Sequence, residues 1–312
     1  MPAPVRKRLL HPALFILFCV VLVAGAVYLI ERALPKSPAE TLIAELRDAC
    51  RPSGLVEGAK EKKRRGPPEI SWDLAKLGPP AVPALIRALR DGVIDVRFWA
   101  AGALGRIGPA AVPALIQALN DEDSYVRGAA AKVLGEIGAG ARNAVPALIR
   151  ALKDGSSDVR SSAAEALGGI GPAAKDAVPA LVQALKDNVT GVRRSTAVAL
   201  GGIGPASKDS VPALIQALKD KEGYVRLWAA VALGRIGPGA RDAVPALIQA
   251  LKNDWLIVQR SAAGALGEIG PDAKDAVPAL NDLLKDESEA VREAAKAALQ
   301  KIQAPPPAPP GK

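Results

Sequence analysis

The 312-residue chain holds one histidine, two cysteines and one methionine, and aromatic residues make up only 3% of it. Each scarcity removes a class of function. The one histidine is His11, ahead of a long apolar run, so the rest of the chain can form no Ser–His or Cys–His arrangement. A histidine-built metal site is excluded in the same way, and neither a metal nor another cofactor is expected. Cys19 and Cys50 are too few for a disulfide framework and indicate no compartment. With so few aromatics, the 49% hydrophobic content is mostly Ala, Leu, Val and Ile, which suits closely packed helices.

A concentrated charge of one sign is also missing. The formal net charge is +9, but residues 1–36 carry +4 of it, residues 37–77 carry +1, and the last +4 is spread over 235 residues. No basic face accumulates of the kind a phosphate backbone needs, so nucleic acid is not expected as a partner.

One long hydrophobic run is present. Residues 13–30 are 18 uncharged, mostly apolar residues behind Arg6, Lys7 and Arg8. That length just spans a bilayer core as a helix. Residues 1–12 then read as a short basic tail, 13–30 as a transmembrane signal-anchor, and 31–37 as a linker. The basic tail favours a single pass with the C-terminal region on the extracytoplasmic side. The alternative is a signal peptide cleaved near Ala26, since Ala24-Gly25-Ala26 has the small-x-small form, which would make the chain secreted. Apolar residues continue past that point to Ile30, which favours the anchor.

Repetition organises the rest. Val-Pro-Ala-Leu occurs seven times, with prolines at Pro83, Pro113, Pro146, Pro179, Pro212, Pro245 and Pro278, a first interval of 30 residues and five of 33. A fixed period of this size marks a stacked solenoid. In the fourth copy, residues 176–204, Asp176 can cap a helix whose first turn holds Pro179. Val178, Leu181, Val182 and Leu185 follow at helical spacing. A second helix starts near Val192 and Arg193, runs Ala197, Ala199, Leu200 and Ile203 along one face, and stops at Gly204-Pro205. Each repeat is an antiparallel helix pair, too small to bury its apolar stripe alone.

The pattern VPALIQALKD, then VR, then AAxALGxIG, over about residues 79–303, resembles the HEAT-repeat family, in particular the short bacterial type of phycobilisome-lyase-like proteins. The resemblance implies an all-α, right-handed α-solenoid of seven helix pairs that serves as a scaffold, with the second helices lining its concave face. Residues 38–78 read as a degenerate N-terminal capping repeat whose loop carries Lys60, Lys62, Lys63, Arg64 and Arg65, a solvated cluster. The last copy is altered as a C-terminal cap should be, with Asn281 for Ile/Val, Gln300 for glycine, and a polar second helix (Glu293, Lys296, Lys301). Residues 304–312 form a proline-rich tail, expected to be disordered.

Overlaying the copies separates framework from freedom. Asp91, Asp121, Asp154, Asp187, Asp220 and Asp286 each precede, by six residues, Arg97, Arg127, Arg160, Arg193, Arg226 and Arg292. An acid and a base repeated at every rung are architecture, and they resemble the Asp–Arg ladder of HEAT arrays. Mid-helix glycines (Gly105, Gly135, Gly168, Gly201, Gly234, Gly267) point to close helix contact. The variable positions fall one, two, five and nine residues after the arginine, on one helical face. That face offers Phe98, Trp99, Gly102 and Arg106, then Gly128, Lys132 and Glu136, and later Leu227, Trp228, Val231 and Arg235.

Tryptophan beside arginine is the composition of interface hot spots, although Trp99 and Trp228 suit ordinary core packing equally. The sixth copy deviates: Asn253 and Gln259 replace the ladder pair, and its turn reads Trp255-Leu256-Ile257 near Tyr224. An apolar turn suggests a docking patch of those four residues. Enzymatic relatives such as deoxyhypusine-hydroxylase-like proteins hold two irons with histidine–glutamate pairs, and that ligand set is absent. The expectation is a membrane-tethered, non-catalytic scaffold for a protein or peptide. The alternatives are a secreted module, a spacer holding the tail away from the membrane, and a HEAT-type enzyme related to lyases or hydroxylases.

Overall fold

The computed structural model describes residues 37–51, 65–253 and 255–304. The basic tail, the apolar run at 13–30, the linker up to residue 36, Lys60, Lys62, Lys63 and Arg64, and the tail from 305 lie outside the described residues. A helix pair, α1 (Pro38–Ala49) and α2 (Pro67–Lys76), precedes seven more pairs. These are α3 (Val82–Ala88) with α4 (Ile94–Ile107), α5 (Val112–Ala118) with α6 (Ser124–Ile137), and α7 (Val145–Ala151) with α8 (Ser157–Ile170). Then come α9 (Val178–Ala184) with α10 (Thr190–Ile203), and α11 (Val211–Ala217) with α12 (Gly223–Ile236). The array ends with α13 (Val244–Asn253) and α14 (Leu256–Ile269), then α15 (Val277–Leu283) and α16 (Glu289–Gln303). Each first helix packs on its own second helix, and the second helices stack in chain order from α2 to α16. The described residues are α-helices joined by short 3₁₀ segments and turns.

Local chemistry sets the element ends. The repeat proline sits in the first turn of each first helix, where a missing N–H leaves no bond unmade. Every second helix from α4 to α14 stops at a glycine with φ between 67° and 77°, for example Gly204 at 67°, a region that side chains avoid. One cap differs from the sequence reading. A 3₁₀ segment, Gly171–Ala177, runs directly into α9, so the N-cap is Ala177 and makes no side-chain cap bond. Asp176 lies exposed within that segment and does not cap the helix. The chain never leaves helical φ/ψ long enough to present it.

The apolar positions form one continuous core. The leucine of every Val-Pro-Ala-Leu, from Leu85 to Leu280, is fully buried, and so are Val96, Val126, Val159, Val192, Val225 and Val258 before the ladder position. Each such leucine contributes about 1.5–3 kcal/mol of apolar transfer, which a single pair could not gather alone. The stretch Ile94–Ala118 is long and apolar enough to pass for a membrane span. Gly108, at φ 72°, breaks it into α4 and α5, both packed in this core.

The ladder joins neighbouring repeats in the middle of the array. Arg160 donates through Nε and Nη2 to Asp187 (2.8 and 3.0 Å) and through Nη1 to the carbonyl of Asp154 in its own repeat (2.9 Å). Arg127 with Asp154 and Arg193 with Asp220 repeat this geometry. Arg226 and Arg292 make the same carbonyl bonds, to Asp220 and Asp286. The side-chain partner is therefore the aspartate of the following copy. Asp187 also accepts from its own Val189 N–H (2.8 Å), which fixes the turn between the helices. Arg127's bonds hold the Asp154 carboxyl below the usual carboxylate range.

Candidate partner-binding site

The rungs are not uniform, and the irregular ones define the site. Five second helices meet the next at a glycine: a Cβ on Gly135, Gly168, Gly201, Gly234 or Gly267 would fall 2.7–3.2 Å from the Cα of Ala166, Ala199, Ala232, Ala265 or Ala298. The facing alanine lies two residues before the next glycine, or before Gln300 in the last copy. In α6 that position is Val133. A Cβ on Gly105 accordingly finds no α6 core atom within 4 Å, only the Glu136 carboxylate at 3.2 Å. At the same junction the connector is the four-residue Gly108–Ala111, against seven in later repeats such as Gly138–Ala144. Branched Val133 and the short connector keep α4 off α6.

The gap is a cleft of about 610 Å³, lined among others by Phe98, Gly102, Tyr125, Gly128, Lys132 and Glu136. Five of these six are variable-face positions in the sequence reading. Phe98 is 61% exposed and stands edge-on to Trp99, with ring centroids 5.1 Å apart. Tyr125 is 42% exposed on the opposite wall. The ladder changes here too. Asp121 accepts from Arg90 (3.1 Å) in place of Arg97, and Asp91 accepts from Arg47 of α1 (2.9 Å). Arg97 lies 4.1 Å from the Tyr125 ring centroid, and its Nε has no hydrogen-bond partner. A cation–π contact has replaced an ion pair and holds Tyr125 at the cleft rim.

The other sequence-derived candidates divide by burial. Trp99 is half-buried on the core, and its carbonyl accepts from buried Ser71 of α2 (2.9 Å). Trp228 and Ile257 likewise pack against the core, and Leu227 is buried, so these three leave the surface reading. Arg106 is exposed but occupied: it donates to Ser71 Oγ (3.0 Å) and lies 4.6 Å over the Trp72 ring. Arg235 is exposed on α12. Tyr224, Trp255 and Leu256 form a second exposed patch (57%, 49% and 52%), with the two rings edge-to-face at 5.5 Å and 89°. The Trp255 ring fits there because Gly223 has no side chain; a Cβ would lie 3.2 Å from it.

Tyr125, Trp72 and Ser71 were not singled out in the sequence. Tyr125 sits two residues before a ladder arginine, outside the positions compared, but its match to Tyr224 two residues before Arg226 was a readable signal. As for chemistry, burial pushes the Cys50 thiol up, away from a reactive thiolate. Among the described residues no group of three or more His, Cys, Asp or Glu side chains is placed to hold a metal.

The model for HEAT repeats matches residues 112–201, 178–257 and 244–310, and that for the PBS lyase HEAT-like repeat matches residues 96–121. No curated protein matches the chain. Among solved structures, one engineered protein is 29% identical, with a TM-score of 0.52 over 61% of this chain and 96% of its own. A second engineered protein is 24% identical, with a TM-score of 0.53 over 91% of this chain and 90% of its own. Kap121p bound to Ste12p is 18% identical, with a TM-score of 0.58 over 75% of this chain and 30% of its own. The last two show the fold alone. With helix pairs, glycine contacts and Asp–Arg rungs in register and the HEAT-repeat model matched over more than half its length, the chain belongs to the HEAT-repeat family.

Proposed function

We propose that the chain is a membrane-tethered HEAT-repeat scaffold that binds a protein or peptide partner along its second-helix face and carries no catalysis of its own. The carrying observation is the cleft between α4 and α6, a largely apolar gap with two exposed rings, Phe98 at a position where the copies differ and Tyr125 facing it. Positions free of framework duty are where a repeat array acquires specificity. The lone histidine and the use of the acid–base pairs as ladder rungs support a non-catalytic role. Kap121p bound to Ste12p is a neighbour of this fold holding a partner. Residues 13–30 supply the tether in this reading, with the array on the extracytoplasmic side.

The test compares the full chain with Phe98→Ser and Trp255→Ser as baits in detergent extracts. A partner captured by the native chain and lost from either variant, at unchanged helical content, supports the reading; equal capture by all three overturns it. Carbonate extraction with N-terminal sequencing separates an anchored chain from one cleaved near Ala26.

A further inference from the structure

We infer that the cleft between α4 and α6 takes the proline-rich segment 305–310 of a second copy of the chain, so that the array associates head to tail. This rests on the partner-binding reading above and names its occupant. Residues 304–312 read Ala-Pro-Pro-Pro-Ala-Pro-Pro-Gly-Lys. Five prolines with φ already fixed lose little freedom on binding, and such segments dock in aromatic-lined grooves. The cleft has matching chemistry. The Phe98 and Tyr125 rings stand exposed on opposite walls, and Gly102 and Gly128 leave room for pyrrolidine rings between them. Lys132 is a donor for proline carbonyls. Glu136 and Asp158 also line the cleft, with the Arg97 guanidinium at its rim, so the site carries both signs of charge and the rings, not net charge, are its match to the prolines.

Reach decides that the segment comes from another molecule. Ala304 follows α16, and α6 is five second-helix steps away along the stack. Helices packed 8–10 Å apart make that about 40–50 Å. The segment 305–310 follows Ala304 directly, and its six residues span about 19–22 Å at full stretch. A segment too short for its own cleft can enter that of a neighbour. The contact is heterologous, joining the C-terminal end of one array to the N-terminal end of the next.

The experiment uses the full chain in mild detergent, with a synthetic peptide of residues 304–312 as probe. Light scattering should show concentration-dependent association, lost when Pro305, Pro306 and Pro307 are changed to glycine. The peptide, titrated calorimetrically onto that tail variant, should bind about tenfold more weakly or not at all when Phe98→Ser or Tyr125→Ser is added. Phe98→Ser removes one aromatic pair and Tyr125→Ser one cation–π contact, so the melting midpoint should fall only slightly with helical content unchanged, which separates lost binding from lost folding. No peptide binding, equal binding to the ring variants, or a full chain that stays monomeric at peptide-saturating concentrations each overturns the proposal. If the peptide fails while cleft substitutions still abolish capture of another protein, the self-association falls and the scaffold reading stands.

Discussion

A Cβ placed on Gly168 would lie 2.7 Å from the Cα of Ala199 on the next second helix. The obstacle is backbone, which cannot rotate aside. Gly168→Ala should therefore destabilise the array by about 1–3 kcal/mol, overriding the ~1 kcal/mol that alanine gains in a helix. Gly264 in α14 has nothing within 4 Å, so Gly264→Ala should stabilise by about 0.5–1 kcal/mol. Denaturant midpoints of the two variants should move in opposite directions. A stabilising Gly168→Ala would refute close packing as the reason for the glycine.

Arg160 and Asp187 are both largely buried, at 14% and 13% side-chain exposure, and hydrogen-bonded twice. Truncating either to alanine leaves the other's charge without its partner and should cost about 2–3 kcal/mol. The double variant should cost less than the two singles added, a coupling that a double-mutant cycle reads directly.

The ladder also sets an acid limit. The Asp154 carboxyl is held below its unfolded value by Arg127, and Asp187 is also lowered, its burial outweighed by bonds from Arg160 and Val189 N–H. A depressed folded value means the stabilisation is fully present above the unfolded pKa of about 3.9 and is lost as pH falls through the folded value. Thermal midpoints should be insensitive to the ladder from pH 8 to 5 and drop below about pH 4. Asp154→Asn should weaken that drop while lowering stability at neutral pH.

Trp255 touches Tyr224 edge-to-face and is half exposed. Trp255→Ser removes one aromatic pair, worth about 0.5–1.5 kcal/mol, and should leave circular dichroism unchanged. Ile257→Ser, two residues on, enters the core and should lower the melting temperature clearly. If Trp255→Ser proves the more damaging of the two, the patch is structural.

The period made the architecture readable: proline in a first turn, glycine at a helix end and an acid six residues before an arginine are local signals repeated until they could not be accidental. The ladder's direction was less accessible. Arg160 reaches Asp187, 27 residues on, because the next turn stacks above it, and stacking is set by packing that no single repeat encodes. The rings sorted themselves only in three dimensions. Leu227 and Phe98 each follow a ladder arginine by one residue, yet Leu227 is buried and Phe98 stands in an open gap, since closeness to the next helix depends on that helix's residues.

Val133 is one of the two features at that gap, and its removal is the sharpest test. Every other described junction that meets a glycine offers it an alanine. Val133→Ala restores that pairing, so α4 should settle onto α6 through Gly105 as its successors do. The loss of two buried methyl groups, about 1.5 kcal/mol by transfer, opposes the gain from closer contact. Stability should then change little, while amide exchange in α4 slows and the cleft shrinks. Binding of the 304–312 peptide should weaken with it, although neither Phe98 nor Tyr125 has been altered. If α4 exchange and peptide affinity both stay at native values, the short Gly108–Ala111 connector alone holds the helices apart.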